Sequence, residues 1–320
     1  MTYRLLRTAG FRMDAERAHG AALRVVRLAR PISALRRRAL SRGSVDAFGL
    51  RFRNPVGLAA GYDKDATAWR ALAALGFGHV EVGTVTPRPQ PGSPRPRITR
   101  HVAERALVNR MGFPSEGADA VAARLGGRRP GGVVLGVSIG PNADTPPDRR
   151  IDDYLTLVDR FGPLADYLAV NVSSPNTAGL RDLQGAALEP LLAAIVARAD
   201  GATPVLVKLS PDLADLASVA SAAARAGVAG LIVGNTTTTR PGVTDDQAGG
   251  LSGAPLGDLA ARRLAEAVAA TTLPVIACGG IMTVDDARSR LEAGAALVQL
   301  YTGLVYEGPG LVRRIIRRIE

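Results

Sequence analysis

Only two lysines occur in this 320-residue sequence, Lys64 and Lys208, although lysine and arginine together number 40. Cysteine is scarcer still: Cys278 stands alone, which excludes a disulfide framework or a cysteine-built zinc site within the chain and fits a reducing compartment. Aromatic residues make up 4%, too few for a nucleic-acid surface built on stacked bases, so no nucleic-acid partner is expected. No apolar run approaches the roughly 18 residues that a membrane span needs. The N-terminus lacks the apolar core of a signal peptide. Also missing is a GxGxxG turn after the first strand-like run, the signature of a dinucleotide-binding doubly wound sheet.

What is present is a repeated alternation. From residue 54 onward, short apolar runs alternate with longer Ala/Leu/Arg stretches of helical period. The runs are PVGLAAG (55–61), HVEVGTV (79–85), VVLGVSIG (133–140), YLAVNVSS (167–174), VLVKLS (205–210), GLIVGNT (230–236), PVIACGG (274–280) and AALVQLYTG (295–303). Their hydrophobicity is continuous, as expected of parallel strands covered on both faces. Eight such units predict a (β/α)8 TIM barrel, for which this length is ordinary. The Pro/Arg-rich stretch 87–100 reads as an extended loop after the second strand. Polar residues gather at the C-terminal ends of the runs: Lys64, Thr84 with Thr86, Ser138, a Ser/Asn cluster, Lys208, Asn235–Thr236, Gly279–Gly280 and Tyr301–Thr302–Gly303. That end of such a barrel carries the active site, and glycines after the last two strands commonly hold a phosphate.

The net charge of +11 is unevenly placed. Residues 1–50 hold eleven arginines against Asp14, Glu16 and Asp46, which is +8 of the total. Residues 1–11 and 14–31 read as two basic amphipathic helices, with Asp14 as N-cap of the second and Pro31 as its stop. Such helices can lie on an anionic membrane surface. The pattern also fits a solvated basic face packed on its own domain, or an arginine-rich transit segment without a clear cleavage site.

The stretch AVNVSSPNTAGLR (169–181) places two hydroxyls and two carboxamides at the end of a buried strand, with Pro175 stiffening the backbone between Ser174 and Asn176. A sequence that uses arginine for its general basic surface keeps lysine at two strand ends. Lysine is a compact charge that can donate to one atom where a guanidinium fork would not fit. One lysine can steady the electron-rich edge of a reduced flavin and the other can pair with a substrate carboxylate; a Schiff-base lysine is the competing use.

Taken together, NPVGLAAGYDKDA, GFGHVEVGTVTPRPQPGSPRPRITR, LVNRMGF, NVSSPNTAGLR, VKLSPDL, GGLSGAPL and ACGGI…GAALVQLYTGLVYEGPGL resemble class 2 dihydroorotate dehydrogenase, the membrane-associated, quinone-reducing flavoenzyme of pyrimidine synthesis. The resemblance runs from ERAH (16–19) to the C-terminus. Class 2 is indicated by Ser174, where the soluble class has cysteine, and by the basic helix pair.

The resemblance implies an N-terminal part (1–42) that forms the membrane-facing quinone tunnel and an FMN-binding barrel (43–320). It implies Ser174 as general base at C5 of dihydroorotate, with Thr177 and a water as its proton relay. It implies Lys64, Asn109 to Phe113 (with Arg110, Met111 and Gly112), Asn171, Asn176, Asn235 and Thr236 as substrate contacts. One FMN per chain would meet Ala59, Ala60, Gly61, Thr84, Ser138, Asn171, Lys208, Gly234, Gly253, Gly280, Tyr301 and Thr302. Gly279–Gly280 and Tyr301–Thr302 would cradle its phosphate. His19 and Arg100 would line the quinone tunnel. No metal is implied. The expected state is a monomer bound peripherally to the cytoplasmic side of a bacterial cell membrane.

Three positions depart from the family pattern. Ser138 stands where Asn is usual, with Pro141 after it in place of Lys; Gly234 replaces a Thr; Pro114 replaces an Asn. Each removes hydrogen-bonding capacity, at roughly 0.5–1.5 kcal/mol per bond lost, so weakened FMN binding is an expectation. The rivals are a tRNA dihydrouridine synthase, which lacks support in a catalytic cysteine loop, a Schiff-base aldolase acting through Lys208, and a non-catalytic membrane-surface protein that kept the barrel.

Overall fold

The computed structural model describes residues 2–28, 43–177, 179–244 and 247–319. Its centre is a closed parallel barrel. In chain order the barrel strands are β3 (Val56–Leu58), β4 (His79–Val85), β7 (Val134–Ile139), β8 (Tyr167–Asn171), β9 (Val205–Leu209), β10 (Gly230–Val233), β12 (Val275–Cys278) and β13 (Leu297–Leu300), which returns to pair with β3. All eight fall inside the predicted runs. A short antiparallel hairpin, β1 (Val45–Ala47) with β2 (Leu50–Phe52), precedes them.

Two cores follow from the two faces of each strand. The outer one lies between sheet and helices: Trp69, Leu72 and Phe77, with Tyr154, Leu157 and Phe161, pack on Val80, Val82, Leu135 and Val137. The inner one fills the barrel's lower half. There Phe48 and Phe52 of the hairpin seat against Val134, Tyr167, Leu206, Ile232, Ile276 and Leu297. The hairpin is therefore a plug, which no strand-length apolar run announces.

Side-chain size alternates around the interior. A Cβ on Gly57 would lie 2.0 Å from the His79 ring, and one on Gly136 2.1 Å from Tyr167. Paired with these glycines, two large polar rings fit inside the barrel.

The stretch 87–100 is only partly a loop. Ile98–His101 forms β5, which pairs antiparallel with β6 (Ala106–Asn109), and β6 pairs with β11 (Gly250–Gly253). All four residues of β5 are half-buried, so they carry no apolar alternation. The third strand of this sheet is more than 140 residues away. Both facts hide the sheet from local reading.

Helices α1 (Thr2–Phe11) and α2 (Ala15–Leu28) precede the barrel. Asp14 caps α2 as expected: its Oδ1 accepts from Glu16 N at 3.1 Å and Arg17 N at 3.0 Å. The expected stop at Pro31, and the division at residue 42, lie outside the described residues. Helix α1 is tied to the end of the chain. Tyr3 OH donates to Val305 O at 2.6 Å, Arg7 Nη1 to Tyr306 O at 2.9 Å, and Phe11 meets the Tyr306 ring edge-on at 5.3 Å. Helix α2 is held by Glu16, whose carboxylate accepts from Arg97 Nη2 at 2.7 Å and Nε at 3.1 Å, and from Arg95 at 2.9 Å. The bonds from Arg97 draw the Glu16 carboxyl below its usual range.

The barrel's tolerance is testable at its tightest contact. Gly57→Ala is expected to destabilise the fold by roughly 1–3 kcal/mol, read as a lower urea midpoint; an unchanged midpoint would mean that His79 can swing aside.

Candidate active site

At the C-terminal mouth of the barrel a cleft opens to solvent. Its lining comes from the ends of strands distant in sequence. Ala59, Ala60 and Gly61 follow β3; Thr84 lies at the end of β4; Asn171 ends β8 and Ser174 follows it; Lys208 sits on β9; Asn235 and Thr236 follow β10; Gly279 and Gly280 follow β12; Tyr301 and Thr302 follow β13. Asn109, Met111, Gly112, Phe113 and Gly253 are brought in by the small antiparallel sheet. The residues that share one cleft therefore include Ser174, both lysines and the four asparagines at 109, 171, 176 and 235.

The cluster is internally ordered. Asn171 Nδ2 donates to Thr84 Oγ1 at 2.8 Å, and its Oδ1 accepts from Ser173 N at 3.2 Å. Asn235 Nδ2 donates to Ser173 Oγ at 2.9 Å. Asn176 Nδ2 donates to Asn109 Oδ1 at 3.3 Å, and Asn176 N donates to Ser174 Oγ at 3.2 Å. Ser174 is 5% exposed. Thr177 Oγ1 is buried without a hydrogen-bond partner. Lys64 Nζ donates to Gly61 O at 2.7 Å. Its enclosure lowers the ammonium to about 8, with Asp65 opposing and Arg97 adding to the shift.

Two loops of the cleft are bound together by Arg181. Its Nε donates to Ser173 O at 3.0 Å, Nη2 to Thr236 O at 3.0 Å, and Nη1 to Asp212 Oδ2 at 2.7 Å. Burial raises the Asp212 carboxyl, but bonds from Thr237, Thr238 and Arg181 outweigh it and leave it below the usual range.

Three expected contacts lie elsewhere. Arg110 turns outward, donating from Nη2 to Pro96 O at 2.9 Å. Ser138 stands behind Thr84, Oγ to Oγ1 at 2.9 Å, fully covered. Gly234 has its open side toward Pro211 Cδ, where a Cβ would approach to 3.3 Å. None of the three lines the cleft. Ser138 therefore acts on the cleft only through Thr84, and a side chain at 234 would press on Pro211. In the other direction, Ser252, Cys278, Ile281, Met282 and Gln299 line the cleft without having been singled out as contacts. Gln299 carried a legible sign, a carboxamide inside an apolar strand.

His19 and Arg100 stand apart, where the N-terminal helices meet the barrel. His19 Nε2 lies 2.7 Å from Tyr62 O, which makes it the protonated nitrogen. Burial, then the charge of Lys64, lowers the imidazole to about 4, so it is neutral near pH 7. Its ring meets Tyr62 edge-on at 4.8 Å, and Tyr62 meets Tyr301 of the cleft at 5.5 Å. Arg100 lies 4.9 Å above the Phe11 ring and donates to Met13 O at 2.8 Å.

Comparison with known proteins gives one result throughout. The sequence model of the family described as dihydroorotate dehydrogenase matches residues 43–320. The protein named dihydroorotate dehydrogenase (quinone) from Erythrobacter litoralis is 49% identical over 100% of this chain and 95% of its own. That of Acidithiobacillus ferrooxidans is 46% identical over 100% and 94%. The crystal structure of DHODH from Eimeria tenella in complex with ferulenol superposes with a TM-score of 0.80 at 39% identity, over 86% of this chain and 83% of that one.

The Arg181 clamp gives a direct test. Arg181→Met is expected to cost about 1.5–3 kcal/mol in unfolding free energy, the range for a charged hydrogen-bonding group, and to loosen the 173 and 236 loops to proteolysis.

Proposed function

The chain belongs to the dihydroorotate dehydrogenase family, and we propose how its own residues carry out that family's reaction. It is a flavin-dependent oxidoreductase that oxidises dihydroorotate to orotate in pyrimidine biosynthesis, with a quinone as final acceptor. The observation that supports this division of labour is the meeting of Ser174, four asparagines and both lysines in one cleft.

FMN fits the inner part of that cleft. At Gly280, with φ +68°, a Cβ would come within 2.3 Å of Gly257 Cα, so the backbone there is bare and close-packed. Ala59, Ala60 and Gly61 offer the cleft little more than backbone. Gln299 Oε1 and Lys208 face the floor, and the buried Gln299 oxygen has no hydrogen-bond partner. In this reading Gly253, Gly279, Gly280, Tyr301 and Thr302 hold the phosphate end, while Thr84, Asn171 and Lys208 meet the ring. When bound, FMN supplies the acceptor for the hydride that leaves C6 of dihydroorotate.

The chain supplies the rest. Ser174 takes the proton from C5, so that loss of H⁺ and hydride leaves the C5=C6 bond of orotate. A serine hydroxyl is a weak base and needs somewhere to pass its own proton; Thr177 Oγ1, buried and unpartnered in the same loop, is the group we assign to receive it. Asn109, Asn171, Asn176 and Asn235, with Thr236, present donors and acceptors that match the alternating edge of the ring. Lys64 pairs with the carboxylate. Met111, Gly112 and Phe113 cover the substrate and exclude water; Arg110 braces their loop from outside.

The N-terminal helices serve the quinone side. Leu5, Leu6, Met13, Val25 and Leu28 are between 47% and 82% exposed, and Arg4, Arg12, Arg17, Arg24 and Arg27 are exposed around them. Apolar side chains ringed by arginine suit an anionic membrane surface. Among the described residues no helix is long and apolar enough to cross one. In this reading residues 1–42 form a peripheral membrane attachment on the cytoplasmic face, residues 43–320 the catalytic barrel, and the chain acts as a monomer. His19 and Arg100 border the quinone's path.

An anaerobic spectrum tests the whole. Dihydroorotate is expected to bleach the flavin band of the purified protein, and a quinone to restore it; a flavin band indifferent to dihydroorotate would overturn the reading. Ser174→Ala is expected to slow bleaching 10²–10⁴-fold while orotate still binds.

The charge on Lys64 sets a pH dependence. Below about 8 the ammonium is present and pairs with orotate; above it the free protein loses the charge. Orotate affinity, read by perturbation of the flavin spectrum, is expected to weaken through this range, and to be weak and flat in Lys64→Met.

A further inference from the structure

The barrel floor below the cleft is polar, and its geometry is unequal. Glu81 on β4, Tyr167 on β8, Lys208 on β9 and Gln299 on β13 are each at most 4% exposed. Glu81 Oε2 accepts from Tyr167 OH at 2.9 Å and from Gln299 Nε2 at 2.8 Å. Its other oxygen, Oε1, has no hydrogen-bond partner and lies 4.0 Å from Lys208 Nζ. Two donors thus fix the carboxylate, and one of its oxygens is left toward the lysine.

No other carboxylate among the described residues lies within ion-pair distance of Lys208. The neighbours add no charge. Burial lowers His79 to about 3 and raises the Cys278 thiol, so both are neutral near pH 7. A buried ammonium with no counter-charge is costly to hold in place. The Lys208 side chain makes no hydrogen bond among the described residues, yet the residue lines the cleft. Glu81 is not among the residues that line the cleft.

We propose that Glu81 is a positioning residue for the reaction: anchored by Tyr167 and Gln299, it supplies the counter-charge that holds Lys208 at the cleft floor, and through that lysine it sets how strongly the site favours reduced over oxidised FMN. The proposal rests on the reading of Lys208 as a flavin contact. The same anchoring fixes the Gln299 amide, since Nε2 is spent on Glu81 and Oε1 is left as an acceptor. A positive charge beside the flavin favours its electron-rich reduced form. Without Glu81, Lys208 loses the counter-charge that holds it at the floor, and that preference falls.

The test is the midpoint potential of the FMN-loaded protein, measured against a dye couple, with FMN affinity and melting temperature alongside. Glu81→Gln keeps the shape and removes the charge. It is expected to reduce the preference for reduced FMN about tenfold, a fall of about 30 mV for a two-electron couple, with the affinity for oxidised FMN changed less than threefold. Tyr167→Phe keeps the charge and loosens its anchor; a fall of about threefold is expected, and if Glu81→Gln does not fold this variant decides alone. Lower melting temperatures with an unchanged potential would overturn the proposal, as would a potential that rises in Glu81→Gln. A wild-type protein that holds flavin and is bleached by dihydroorotate keeps the functional reading whatever the variants do. A wild type with no flavin band overturns both.

Discussion

The approach of Gly57 to His79 and of Gly136 to Tyr167 is the contact on which the rest of the interior depends. A closed barrel of eight strands has room for little more than its own side chains. Here the lower half is filled by Phe48, Phe52, Leu206, Ile232, Ile276 and Leu297, and the upper half is left to the site. Between them lies a layer that must be polar enough to carry Glu81 and Lys208 yet large enough to leave no void. Two glycines admit two rings, and Tyr167 supplies the donor that Glu81 needs. With a side chain at Gly136, Tyr167 would have to move and the carboxylate would lose one of its two supports.

Above that layer the site is an assembly of strand ends, each doing little alone. Asn171 shows how they combine. Its backbone oxygen is held by Tyr154 OH at 2.9 Å from the helix behind, and its side chain bridges Thr84 to Ser173. Arg181 then fixes Ser173 and Thr236 to the same Asp212. The Ser174 loop is thus set by groups on four different strand–helix units. That arrangement explains a short polar cluster beginning at the end of a buried strand: its residues reach in both directions, toward the cleft and toward the scaffold.

Much of this was legible in the sequence. The eight apolar runs gave the barrel, because parallel strands covered on both faces leave a continuous signal. The cleft residues followed from the rule that the C-terminal strand ends carry function, and from the resemblance. Other features were not legible because they depend on pairing across distance. The sheet of 98–101, 106–109 and 250–253 has strands of four residues and no apolar period. The outward turn of Arg110 and the retreat of Ser138 behind Thr84 are matters of side-chain direction, which strand position alone does not fix. Glu81 lay in plain view, an acid inside HVEVGTV, but its partners sit on strands that begin 86 and more residues later.

The two lysines can now be set against the arginines that serve everywhere else. Arginine in this chain caps and ties. Arg70 reaches the carbonyls of Arg124, Leu125 and Gly126 at the end of a helix, and Arg97 spends its donors on Glu16, Pro91 and Ser93. A guanidinium carries five N–H groups in a rigid plane, and burying it demands acceptors for most of them. At position 208 the floor offers Glu81 Oε1 and Gln299 Oε1 as its unpartnered oxygens. An arginine there would leave donors unsatisfied in a dry interior, at a cost of about 1–3 kcal/mol for each group left without a partner. An ammonium is compact enough to share the floor with whatever occupies the cleft above it. At position 64 the argument turns on the proton. Enclosure can bring an ammonium down to about 8, within reach of an incoming carboxylate's influence, whereas a guanidinium keeps its charge throughout. Lysine persists where the charge must be small, or must respond to what binds.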